Sequence, residues 1–185
     1  ALPVLNRNRV TITGGSTAHY LMFLEAQRAQ PDTPVLPTLR LLNGGGAPMS
    51  PATYEDAGHV LGVPIQHGYG MTECPMIANN TPDGTDDQRM HSEGPPVKGC
   101  EVRIEDDEGN AVPRGVDGHL LVRGPMVAHG YLDPEATRAA FRPDGFFVTG
   151  DRGHLREDGC VVLTGRTKEM IIRKGENISP AEIED

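Results

Sequence analysis

Residues 39–73, "LRLLNGGGAPMSPATYEDAGHVLGVPIQHGYGMTE", decide the fold. The short apolar run "LRLL" lies between Pro37 and the glycines Gly44, Gly45 and Gly46, which is the pattern of a buried strand. Ser50 followed by Pro51 starts a helix, "PATYEDAGHVL" continues it, and Gly62 stops it. "VPIQ" is then a second short strand that enters Gly68. Strand, helix, strand is the parallel crossover unit of an α/β fold, and open parallel sheets hold their ligands at the carboxyl ends of the strands. Both glycine-rich turns, "NGGGAP" and "HGYGMTE", are expected at such ends, side by side.

Upstream, "TITGGSTAHY" reads as a strand-to-helix turn, and "TAHYLMFLEAQRAQ" carries apolar residues at a helical period through Tyr20, Leu21, Leu24 and Ala26 before Pro31. Downstream of about Thr81 the texture changes to polar turns between short strands, "CEVRIEDDEGN" and "GHLLVRGPM". Asp133 and Pro134 open a short helix, "PEATRAAF", after which "GFFVTGDRG", "CVVLTGR" and "EMIIRKG" resume the strand pattern. Ser179, Pro180 and Glu182 announce a further helix, so the chain reads as cut at its end; at its start it lacks a methionine. The expected organisation is the end of a parallel-sheet α/β subdomain over 1–80, a small β-rich subdomain over 81–164, and over 165–185 the first hairpin of a mobile α+β lid. The segment "TGRTKEM" is the expected hinge.

The 185 residues are 37% hydrophobic, enough for a packed core, and the 23 glycines and 16 prolines form no repeat. A net charge of -9 argues against nucleic acid or an anionic membrane as the main partner. Cys74, Cys100 and Cys160 are odd in number and lack C-x-x-C spacing, which fits a reducing, cytoplasmic setting without a cysteine zinc site. No apolar run is long enough to span a bilayer.

The chemistry concentrates in three places. In "GYGMTE" the glycines allow close backbone approach, Tyr69 can stack on a heteroaromatic ring, Thr72 can donate to a phosphate oxygen, and Glu73 can hold a magnesium ion that bridges phosphates. Taken alone, a tight strand exit with a core tyrosine and a solvated glutamate is the stronger account. In "GFFVTGDRG" a carboxylate fixed in a glycine turn, Asp151, can accept both hydroxyls of a ribose, although turn aspartates also bond their own backbone. Arg166, Lys168, Arg173 and Lys174 form a basic cluster in an acidic chain, which suits an anionic ligand or a solvated face.

Taken together, "GGGAPMS", "GYGMTE", "TGD" and "GRTKEMIIRKGENISPAEIE", in this order and spacing, resemble the adenylate-forming superfamily of acyl-CoA synthetases, luciferases and peptide-synthetase adenylation domains. The resemblance covers the chain from about residue 10, and the last motif is the most specific. It implies that Gly45, Gly46, Ala47, Gly68 and Gly70 line the ATP/AMP pocket, that Tyr69 packs on adenine and that Thr72 contacts the α-phosphate. It also implies that Glu73 places Mg2+, that Asp151 holds the ribose hydroxyls with Arg166 close by, and that Lys168 is the hinge of a rotating lid. Lys174 and Gly175 would then face coenzyme A. The implied reaction joins a small carboxylic acid to ATP, giving an acyl-adenylate and pyrophosphate, and then transfers the acyl group to the thiol of coenzyme A.

Departures from the family pattern are specific. The phosphate loop ending in lysine is absent, the family's C-terminal catalytic lysine would lie beyond Asp185, and Phe146, Phe147 and Val148 stand where an upstream tryptophan or tyrosine is common. The isolated chain is accordingly expected to be inactive. Two alternatives remain at this point: an amino-acid adenylation domain that feeds a carrier protein, and a non-catalytic adenylate-binding fragment. A serine hydrolase is weak, because Gly14, Gly15, Ser16, Thr17 and Ala18 miss the last glycine of G-x-S-x-G. No H-E-x-x-H supports a zinc protease, and Cys74 near His67 reads better as a packed cysteine than as a nucleophile. Met71, Cys74 and the glycine-rich wall suggest an apolar acyl pocket, with the acid itself left open.

Overall fold

The computed structural model describes residues 1–46, 50–81, 83–167, 171–173 and 176–178, the last two stretches by their backbone alone. A first layer holds α1 (Leu2–Arg7), β1 (Ile12–Thr13), α2 (Thr17–Arg28), β2 (Leu41–Gly45), α3 (Pro51–Leu61), β3 (Ile65–Met71) and β4 (Cys74–Asn79). The strands lie in the order β1-β2-β3-β4; β1, β2 and β3 are mutually parallel and β4 returns antiparallel on β3. The crossover expected from residues 39–73 is therefore present, and α3 has the limits read from its caps. Ser50 accepts from the Thr53 N–H, Pro51 takes the first turn, and Gly62 ends the helix at φ 66.

The helix α2 buries Tyr20, Phe23, Leu24 and Gln27, an i, i+3, i+4, i+7 stripe. Leu21, placed on that face by the sequence reading, is half exposed instead, because Phe23 occupies the inward position. Tyr20, Phe23 and Leu24 form a core with Leu42, Ala57 and Ile65, which fixes α2 and α3 on the sheet.

The second layer follows α4 (Asp86–His91) with β5 (Glu101–Glu105), β6 (Gly118–Arg123), α5 (Pro134–Ala140), β7 (Phe147–Leu155) and β8 (Val161–Arg166). The strands form an antiparallel meander in chain order. Their core joins Ile104, Leu120, Val122, Phe147 and Val161 to Tyr69, Cys74, Ile77 and Ala78 of β3 and β4, so the two sheets meet along the β3–β4 hairpin. Finally β9 (Ile171–Arg173) and β10 (Glu176–Ile178) pair as an antiparallel hairpin, where a first lid hairpin was expected. Ser179, Pro180 and Glu182 lie outside the described residues. Among the described residues no helix is long and apolar enough to cross a membrane.

Candidate active site

Most glycines of the two segments, expected in turns, belong to strands instead. Gly44 and Gly45 end β2, while Gly68, Tyr69 and Gly70 lie inside β3, with Gly45 opposite Gly68. A Cβ on Gly45 would stand 1.9 Å from the Gly68 carbonyl oxygen, and one on Gly44 would stand 1.9 Å from that of Gly15. Gly70 likewise faces the Pro75 carbonyl at 2.3 Å. Glycine is required here because backbones touch, which is also what a ligand lying on such a surface needs. The strand ends open into a cleft of about 310 Å³ lined by Gly44, Gly45, Gly46, Gly68, Tyr69, Gly70, Met71 and Met76. Gly46, at φ 86, turns the chain out of β2 at the rim.

Met71 lines this cleft, whereas the Cys74 side chain is fully buried in the core between the sheets, where it contributes packing. Burial also pushes its thiol pKa up, which removes the nucleophile reading.

Tyr69 is both a lining residue and a core residue. It is 6% exposed, and its hydroxyl donates to Asp151 Oδ2 at 2.5 Å. Burial, with the Asp151 charge second, raises its pKa well above the ordinary tyrosine range, so it stays a donor. Asp151 itself is not in a turn: it sits within β7, directly opposite Arg166 of β8. Its carboxylate is 4% exposed and takes the Arg166 Nε at 2.8 Å on the other oxygen. The antiparallel register thus makes the Asp151–Arg166 pair, and contact between the sheets adds Tyr69. A carboxylate offers about four acceptor positions, so these two donors leave room for hydroxyls.

Thr72 and Glu73 form the turn of the β3–β4 hairpin. Thr72 is exposed, and Glu73 accepts the Tyr131 hydroxyl on Oε1 at 2.8 Å. No group of three or more histidine, cysteine or acidic side chains suited to a metal occurs among the described residues. A single partly exposed carboxylate fits Mg2+ that is held chiefly by nucleotide phosphates and water, which is how this ion is usually bound. Ala47, Lys168, Lys174 and Gly175 lie outside the described residues, and of the Arg173 side chain nothing is described.

Two contacts had no signal in the sequence. Tyr131 reaches Glu73 across 58 positions. His67, on β3, places Nε2 3.2 Å from Glu93 Oε2, with both side chains largely buried. Burial lowers the His67 pKa and raises that of Glu93 to about 7.

Comparison with known proteins places the chain in a family. Residues 1–132 match the model of a family described as AMP-binding enzyme. Triostin synthetase I of Streptomyces triostinicus is 37% identical over 98% of this chain and 34% of its own length. A putative acyl–CoA ligase, YdaB, of Bacillus subtilis is 36% identical over 100% of this chain and 36% of its own. The crystal structure of ATP-bound MatB from Rhodopseudomonas palustris superposes with a TM-score of 0.81 at 35% identity, covering 99% of this chain and 36% of that one. The chain thus spans about a third of the length of these relatives. With the matched region containing β2, β3 and the glycine-lined cleft, the chain belongs to the AMP-binding enzyme family.

Proposed function

We propose that these residues form the adenylate-binding part of an ATP-dependent acid:thiol ligase that makes an acyl-adenylate and then an acyl-CoA thioester. The observation that carries this reading is the buried Asp151 carboxylate, held by Arg166 and by the hydroxyl of the tyrosine that lines the cleft. Asp151 accepts the ribose hydroxyls, while Gly45, Gly46, Gly68 and Gly70, with Ala47 at the end of the first run, admit the nucleotide against bare backbone. Tyr69 borders the adenine. Thr72, exposed on its turn, donates to the α-phosphate, and Glu73 orients Mg2+. When bound, this ion would offset phosphate charge; the carboxylate oxygen of the acid substrate bonds to the α-phosphorus of ATP and pyrophosphate leaves.

The protein's own contribution is placement and hydrogen bonding, with no covalent intermediate on a side chain. Lys168 is proposed as the hinge between a body comprising 1–80 and 81–164 and a lid beginning at 165, with Lys174 and Gly175 facing coenzyme A in the second step. Residues 1–185 alone are proposed to bind adenylates without turnover. The acyl–CoA ligase among the relatives supports coenzyme A as the thiol; the second reading is an amino-acid adenylation domain with a carrier-bound thiol. Product release stimulated by free coenzyme A separates the two. The three free thiols suit a reducing, cytoplasmic setting.

The test is Asp151→Ala in the polypeptide that carries these residues at its natural length. The KM for ATP in pyrophosphate release should rise roughly ten- to a hundredfold, the effect of leaving hydroxyls without their acceptor. Asp151→Asn, which keeps the shape, separates this from misfolding. An unchanged ATP dependence in both variants overturns the assignment.

A further inference from the structure

Glu73 is gripped twice by the segment between β6 and α5. Its carbonyl oxygen accepts the Ala128 N–H at 2.7 Å, and its Oε1 accepts the Tyr131 hydroxyl at 2.8 Å. Tyr131 is in turn tied to α5. Its N–H donates to Thr137 Oγ1 at 2.8 Å, and the Thr137 hydroxyl lies 3.2 Å from the Tyr131 carbonyl oxygen and 3.1 Å from that of Asp133. Gly130 makes this approach feasible: at φ 149 its Cβ, if present, would stand 2.8 Å from Thr137 Cγ2. The helix itself starts on Asp133, which accepts the Glu135 N–H, and Phe141 just beyond it packs on Phe147 of β7 with ring centroids 5.2 Å apart. An unbroken path of contacts therefore runs from the second sheet to one carboxylate oxygen of Glu73.

This arrangement is more than a surface contact needs. Tyr131 is 43% exposed, yet its hydroxyl is directed to a single carboxylate oxygen. A glutamate on a hairpin turn would otherwise sample several rotamers, and fixing them at the moment of binding is unfavourable. A hydrogen bond on one oxygen removes that freedom beforehand and leaves Oε2 without a protein partner among the described residues.

We infer that Tyr131 is a positioning residue, whose hydroxyl holds the Glu73 carboxylate in the orientation from which its second oxygen receives the divalent cation carried by the nucleotide. The inference rests on the reading of Glu73 given under the proposed function. Outer hydrogen bonds to a ligating carboxylate typically govern metal affinity by ten- to a hundredfold.

The experiment uses Tyr131→Phe and Glu73→Gln in the natural-length polypeptide, with ATP binding measured by calorimetry in saturating Mg2+ and in EDTA. The Mg2+ concentration for half-maximal pyrophosphate release is measured beside it. Tyr131→Phe should leave ATP affinity in EDTA unchanged, reduce the gain in affinity that Mg2+ confers, and raise the half-maximal Mg2+ concentration roughly tenfold or more. Excess Mg2+ should restore its turnover but not that of Glu73→Gln. Should Tyr131→Phe not fold, Thr137→Ala, which frees the same segment from α5, is measured against Thr137→Ser. A normal Mg2+ response in Tyr131→Phe, beside a lost one in Glu73→Gln, overturns the role of Tyr131 and leaves that of Glu73 standing. A normal response in Glu73→Gln overturns both.

Discussion

Gly45 and Gly68 face each other across β2 and β3, and a Cβ on Gly45 would enter the Gly68 carbonyl. Gly45→Ala should therefore push the parallel strands apart and lower stability by about 1–3 kcal/mol, the usual range for overpacking. Gly46→Ala meets no atom within 4 Å and suffers only from its left-handed φ, about 1 kcal/mol. Urea midpoints of the two variants give the comparison; an equal loss would mean that backbone contact is not what selects glycine at position 45. This is also where the sequence was hardest to read. Clustered glycines look the same whether they free a loop or let two backbones touch, and the difference lies in a neighbour some twenty residues away. Asp151 was legible as a carboxylate beside glycines after an apolar run, read as a turn, but its place inside β7 and its partners depend on strand register and on the meeting of two sheets, neither of which is local.

Among the elements, α3 was legible to the residue because its ends carry their own chemistry. Its Ser50 cap satisfies the Thr53 N–H, so Ser50→Ala should cost about 1 kcal/mol in thermal or urea unfolding while leaving adenylate affinity unchanged. A loss of affinity in that variant would place the start of α3 within the binding surface. By contrast β4 was hidden. "CPMIAN" contains a proline and does not alternate cleanly, since Cys74, Ile77 and Ala78 are all buried. A proline is tolerated there because β4 is the edge strand of its sheet, a fact that only the assembled topology supplies. The consequence for the site is direct, because the turn carrying Thr72 and Glu73 is a hairpin turn held from both sides rather than a free loop.

For the molecule as a whole, the junction of the two sheets carries a buried titratable pair. His67 belongs to β3, and Glu93 belongs to the segment whose backbone bonds Val161 of β8, through Glu93 N–H to Val161 O at 2.8 Å and Val161 N–H to Gly94 O at 2.9 Å. Burial raises the Glu93 pKa from its ordinary 4.5 to about 7, so its contribution is fully present below 4.5 and lost as pH rises through 7. Burial lowers that of His67 from its ordinary 6.5, so its contribution is present above 6.5 and lost as pH falls through the lowered value. Below pH 6.5, and above the values at which the folded His67 and the unfolded glutamate take up protons, the folded pair and the unfolded chain thus each hold one proton, and the two dependences cancel whichever partner carries it. Stability of the natural protein should be nearly flat over that window as far as this pair is concerned. Each single variant removes half of the cancellation. Glu93→Gln leaves a buried imidazole that resists protonation, so its stability relative to the natural protein should fall on acidification. His67→Gln leaves a buried carboxyl that resists ionisation, so its relative stability should fall as pH rises. The limiting slope is about 1.4 kcal/mol per pH unit in each direction. Urea denaturation of the three proteins at pH 5, 6 and 7 gives the slopes directly. Opposite tilts would establish that the pair folds as a one-proton unit across the sheet junction. Parallel slopes would mean that water reaches the pair and that the junction opens without unfolding.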